Sequence, residues 1–156
     1  MSQKLLISSR ITGDEVHVEF SGVIDEDAVF DKIQNLKMAK CFFDFGKVSM
    51  INSCGIREWI KYLQGLNGAD IVYLNCPQII IEQVNMVHGF IRKGAVVESF
   101  FAPYFCASCD TEKKILLKSA DVINSKAPSA QCNTCGSELE FDAIEKQYFS
   151  FLGQGK

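Results

Sequence analysis

The chain has 156 residues, 47% of them hydrophobic, and its 16 basic and 19 acidic side chains leave a formal charge of −3. That length and apolar content suit one ordinary domain, or one domain with a small appendage, and exclude a disordered chain. Residues 1–100 carry 10 basic and 12 acidic side chains and residues 101–156 carry 6 and 7, so neither part offers the clustered Lys and Arg that a phosphate backbone requires.

Leu5 and Ile7, then Val16, Val18 and Phe20, predict two short strands around a turn at Thr12-Gly13-Asp14. Asp25-Glu26-Asp27 reads as the start of a helix, since carboxylates suit the positive end of a helix dipole. Val29, Phe30, Ile33 and Leu36 supply its apolar face. Cys41-Phe42-Phe43-Asp44-Phe45 reads as a buried strand, followed by a loop over residues 46–52. The next helix has Ile56, Trp59, Ile60, Leu63 and Leu66 on one face and Arg57, Glu58, Lys61 and Gln64 on the other, with Asn52 or Ser53 available to cap it. Residues 69–74 predict a strand. Pro77 suits the first position of a helix running to His88-Gly89, and residues 95–101 predict a last strand. The order β-β-α-β-α-β-α-β implies an α/β fold with a mixed, largely parallel sheet.

Beyond it stand Cys106-Ala107-Ser108-Cys109 and Cys132-Asn133-Thr134-Cys135, separated by 22 residues. Four thiolates from two tight turns can close a tetrahedral zinc site that leaves no position for a catalytic water. Zinc is favoured over iron in such a set. The pattern resembles a zinc ribbon, with Gly136 after the second pair and Asp110 after the first, strands over residues 113–119 and 138–141, and a closing helix over residues 142–152. The aromatics Phe100, Phe101, Tyr104, Phe105, Phe141, Tyr148, Phe149 and Phe151 read as the small core of this module and its seam with the rest. The expected division is residues 1–100 and residues 101–156.

Met50-Ile51-Asn52-Ser53-Cys54-Gly55-Ile56 gathers a hydroxyl, a thiol and a glycine at a helix start. Asn52-Ser53-Cys54-Gly55-Ile56 is similar to the Asp-Ser-Ser-Gly-Leu signature of the STAS domain, the fold of bacterial anti-sigma factor antagonists. Phe20-Ser21-Gly22-Val23-Ile24-Asp25 resembles that family's second strand with its Gly-x-x-Asp ending, and Cys76-Pro77 with His88-Gly89-Phe90 resembles its Ser-Pro helix and closing Gly-Leu. The resemblance covers residues 10–100. It implies a non-enzymatic regulatory protein acting by protein–protein binding, with Ser53 phosphorylated by a kinase-type anti-sigma factor. Asp25, Asn52, Ser53, Cys54 and Gly55 would then lie on the docking surface. Asn52 stands where the signature has aspartate, and Cys54 where it has its second serine.

Other readings of the same residues are an N-cap role for Ser53 and a small buried role for Cys54. At the level of the whole chain, the rivals are a non-phosphorylated scaffold subunit of a larger complex, a thiol-redox enzyme using Cys-x-x-Cys, and a nucleic-acid-binding ribbon. Cys41 and Cys76 have no His or acid partner in sequence that would suggest nucleophilic catalysis. Of the two histidines, His17 is expected to be solvated and His88 to sit near a helix end. An odd count of seven cysteines, four in metal-type pairs, points to a reducing compartment. Without a secretory leader or a span of about 20 apolar residues, the expectation is a cytoplasmic protein.

Overall fold

The computed structural model describes residues 4–30, 33, 40–66 and 70–153. β1 (Leu6–Thr12) and β2 (Glu15–Ile24) form an antiparallel hairpin. Gly13 makes the turn at φ 62°, a conformation that costs glycine little. Every even residue of β2 from Val16 to Ile24 is buried, so the period of two seen in the sequence is the period of the sheet. β3 (Lys40–Ile51), β4 (Asp70–Leu74) and β5 (Val96–Val97) add in parallel, in the order β1-β2-β3-β4-β5. The chain is therefore α/β with a mixed, mostly parallel sheet.

α1 (Ser53–Gln64) buries Gly55, Trp59 and Leu63, one turn apart along a single face. Trp59 stands edge-on to Phe20, Phe43 and Phe45 at ring distances of 5.5, 5.1 and 5.5 Å. Its indole N–H donates to the Tyr73 hydroxyl at 3.0 Å, and that hydroxyl donates to the Phe90 carbonyl at 2.6 Å. Tyr73→Phe is expected to cost about 1 kcal/mol in urea denaturation, because Trp59 still reaches the Phe90 carbonyl at 3.2 Å and leaves it satisfied. α2 (Gln78–Met86) buries Ile80, Ile81 and Val84.

The structure corrects several sequence expectations. Residues 25–27 form a turn and residues 28–30 carry no regular structure, so no helix starts at Asp25. The remainder of that expected helix, Leu36 included, lies outside the described residues, apart from a buried Ile33. The loop expected over residues 46–52 is strand as far as Ile51, held against β2 through two register irregularities, with Ser49 Oγ donating to the Gly22 carbonyl. Pro77 is the N-cap of α2 and not its first residue, and the helix ends at Met86. The last expected strand is two strands. β5 closes the first sheet, and β6 (Ser99–Cys106) is the middle of a second.

That second sheet is antiparallel, in the order β7-β6-β8, with β7 over Thr111–Lys118 and β8 over Glu140–Phe141. Residues 142–152 are not one helix. α3 (Glu145–Tyr148) passes into a 3-10 turn, Phe149–Gly153. Phe100 on β6 meets Tyr148, Phe149 and Phe151 at 6.3, 6.0 and 4.9 Å. The start of β6 stays tied to the first sheet, since the Cys76 N–H donates to Ser99 O at 3.1 Å and the Phe101 N–H to Cys76 O at 2.8 Å. One buried cluster consequently runs without a break from Val16 to Phe151. Among the described residues no helix is long and apolar enough to cross a membrane.

Candidate metal centre and helix-start site

Two tight turns carry the cysteines. Cys106 ends β6, and Asp110 closes the first turn at φ 54°. Gly136 closes the second at φ 76°, where its N–H donates to Cys132 O at 2.9 Å. Asp110 and Gly136 thus hold the same left-handed conformation after each pair, which aspartate tolerates better than most residues. The mild departure from glycine seen in the sequence leaves the turn intact.

All four sulfurs lie within 4.8 Å of one another. Cys106 and Cys135 are 3.5 Å apart, and Cys109 and Cys132 are 3.9 Å apart. Four sulfurs each about 2.3 Å from one tetrahedral ion would be about 3.8 Å apart, so the spacing fits a bound metal. Backbone N–H groups point at the sulfurs, from Cys109 to Cys106 and from Thr134 to Cys132, both at 3.4 Å. Amide donation from Cys135 and Thr134 pulls the Cys132 thiol down to about 6. Contact with the Ser137 hydroxyl lowers Cys135. Cys109 goes the other way, up to about 12, because the Cys135 and Cys106 sulfurs beside it favour its protonated form. Four thiols this close cannot all ionise unless a cation offsets their charge, and a divalent ion does so.

The surroundings hold this cluster in place. Tyr104 donates to Pro128 O at 2.6 Å, and Glu145 Oε2 accepts from the Ala127 N–H at 2.6 Å, which fixes the segment between the cysteine pairs. Cys106 and Cys132 are buried, Cys109 is half-buried and Cys135 is exposed. Cys41 and Cys76 are fully buried elsewhere, and burial raises both thiols above the ordinary range.

The start of α1 is the second candidate. Asn52 is its N-cap, with Oδ1 accepting from the Gly55 N–H at 2.9 Å. Ser53 is the first helical residue and is exposed, so the alternative of Ser53 as the cap is corrected. Cys54 is half-buried. Gly55 is buried because the helix starts against the end of β2, where an added Cβ would fall 2.2 Å from Ile24 O and 2.9 Å from the Asp25 N–H nitrogen. The structure therefore brings Asp25 and the Asn52–Gly55 stretch together. Asp25 Oδ1 accepts from the Asp27 N–H at 3.0 Å and shapes the turn.

Glu26 is the member of this site that sequence reasoning missed. Asn52 Nδ2 donates to Glu26 Oε2 at 3.1 Å. One amide thus caps α1 with its oxygen and holds the acidic turn with its nitrogen, a pairing open to asparagine and closed to aspartate. Glu26 is held below the usual carboxylate range, first by a backbone hydrogen bond and then by Asn52. A depressed folded value means that the contribution is present above the unfolded value and is lost as pH falls through the folded one. Asn52→Ala is expected to move the Glu26 titration upward in an NMR pH series and to cost about 1 kcal/mol through the lost cap.

The histidines are not ligands of either site. His17 is half-buried and stacks on Phe42 at 4.4 Å, and His88 is exposed. No model of a known protein family matches the chain, and no curated protein matches it.

Proposed function

We propose that the chain is a non-enzymatic regulatory protein that works by binding a protein partner at the start of α1, with Ser53 as a phosphorylation switch and a structural zinc ion on Cys106, Cys109, Cys132 and Cys135. The resemblance to STAS-type anti-sigma factor antagonists suggests this reading, and a kinase-type anti-sigma factor is the partner it implies. The observation that carries it is the division of labour at the helix start. Asn52 supplies the cap, so the exposed Ser53 hydroxyl is not needed to hold the helix. A phosphate there would add about −1.5 to −2 charges. The free amides of the first turn tolerate that charge, whereas a partner packed flat on the same spot would have to strip its water.

Ser53→Glu is expected to leave the unfolding free energy from urea denaturation within about 0.5 kcal/mol of wild type, as for other exposed changes, and to abolish capture of a kinase-like ATPase from native cells. Intact-mass analysis of the protein from the same cells should show phosphate on Ser53. Equal capture by wild type and Ser53→Glu, with no phosphate on Ser53, overturns the switch.

The acidic turn favours a second reading. The carboxylates of Asp25, Glu26 and Asp27 lie within 4.8 Å of one another, and Glu26 bonds the residue just before Ser53. That negative charge opposes a phosphate dianion, as expected of a scaffold subunit that binds its partners without being modified.

A further inference from the structure

We propose that β1 is the pairing edge of a symmetric dimer and takes β1 of a second copy of this chain. β1 ends the sheet order, and among the described residues nothing pairs with its outer edge. Sheet edges are commonly protected by shortness, charged side chains, proline or a bulge. Of these β1 has only a single charge. It runs seven residues, LISSRIT, with Arg10 its one charge and an unbroken register from Leu6 opposite Ser21 to Thr12 opposite Glu15. The opposite edge, β5, is two residues long.

The sequence of β1 is complementary to itself. An antiparallel pair with its twofold axis at Ser9 overlaps all seven residues and sets Ile7 opposite Ile11, Leu6 opposite Thr12 and Ser8 opposite Arg10. Ile7 and Ile11 pair with Phe20 and Val16 of β2, so they lie on the face that the core covers. Ile11 is 57% exposed there, and Ile7 of the other copy would cover it. On the other face, Arg10 meets the small hydroxyl of Ser8, whose neighbour across β2 is Glu19, an acid toward which the guanidinium can reach. An axis at Arg10 instead would set two arginines opposite each other and shorten the overlap to five residues. Charge and apolar pattern therefore favour the Ser9-centred register over the Arg10-centred one.

The test is sedimentation equilibrium on the metal-loaded full chain from low to high micromolar concentration. The expected mass rises from 17.4 kDa toward twice that value. Ile11→Lys sets a charge opposite Ile7 of the other copy and is expected to weaken association on the order of tenfold or more, with a melting temperature unchanged at concentrations where wild type is monomeric. Should that variant fail to fold, Ser9→Cys gives an independent reading. Residues directly opposite in an antiparallel pair have Cα atoms about 4.5–5.5 Å apart, within disulfide reach. A cross-linked dimer is then expected for Ser9→Cys and not for Ser8→Cys or wild type under the same mild oxidation. A mass that stays at one chain overturns the proposal. So does a dimer that Ile11→Lys leaves intact, or one that Ser9→Cys fails to cross-link.

Discussion

Cys106→Ser is expected to hold no metal and to melt on the order of 10 °C below wild type. Cys106 is fully buried at the end of β6, the strand that pairs with both β7 and β8. A structural zinc contributes about 10–16 kcal/mol to the folding of isolated finger peptides. A smaller contribution is expected here, because Tyr104, Glu145 and the aromatic seam also hold the module together. Removing one ligand still leaves three converging sulfurs without the charge that compensates them. Elemental analysis should find one zinc per wild-type chain and none in the variant. A strong chelator should lower the wild-type melting temperature by a similar amount. A chain whose melting is indifferent to both treatments would remove the metal from the account of its stability.

Gly55→Ala is expected to destabilise the fold by about 3 kcal/mol or more, the upper end of what overpacking costs. On a free helix the same change would stabilise, since alanine is the better helix former by about 1 kcal/mol. The sign of the effect therefore reports where the helix sits. An added Cβ would lie 2.2 Å from Ile24 O and 2.5 Å from its carbonyl carbon, and both are backbone atoms that no rotamer can move. To make room, α1 would have to back away from β2, which strains the Asn52 N–H bond to Ile24 O, now 3.1 Å, and the packing of Trp59 beneath. Urea denaturation decides it. A variant as stable as wild type would mean that the start of α1 stands clear of β2.

What the sequence revealed depended on the range of the signal. The alternation in β2, the one-sided stripe of α1 and the two Cys-x-x-Cys turns are written within a few residues of each other, and all appear where expected. The acids at residues 25–27 have the composition of a helix start, yet Asp25 spends its carboxylate on the Asp27 N–H and Glu26 turns to Asn52, a partner 26 residues away. No local pattern carries such a contact. Residues 46–52 read as a loop in the sequence, but the length of β2 beside them supplies the pairing that keeps residues 46–51 extended. Glu98 gives no sign that the chain leaves one sheet for another there. That exit depends on the Asn75 N–H donating to Ser99 Oγ and the Cys76 N–H to Ser99 O. Asn52 illustrates the limit at the candidate site. The resemblance to the STAS signature sets it where that signature has aspartate, and only the fold shows what its amide nitrogen does.

The unbroken cluster from Val16 to Phe151 has a thermodynamic consequence. Parts of a protein open separately only where few apolar contacts join them. Here Phe100 packs against the closing turn while its own strand is bonded to Cys76, just before α2. The two sheets are thus expected to unfold in one transition, so that loosening the sulfur cluster would also lower the free energy holding α2 and the parallel strands. A metal held by the four sulfurs at one end of the molecule would then set the rigidity of the whole.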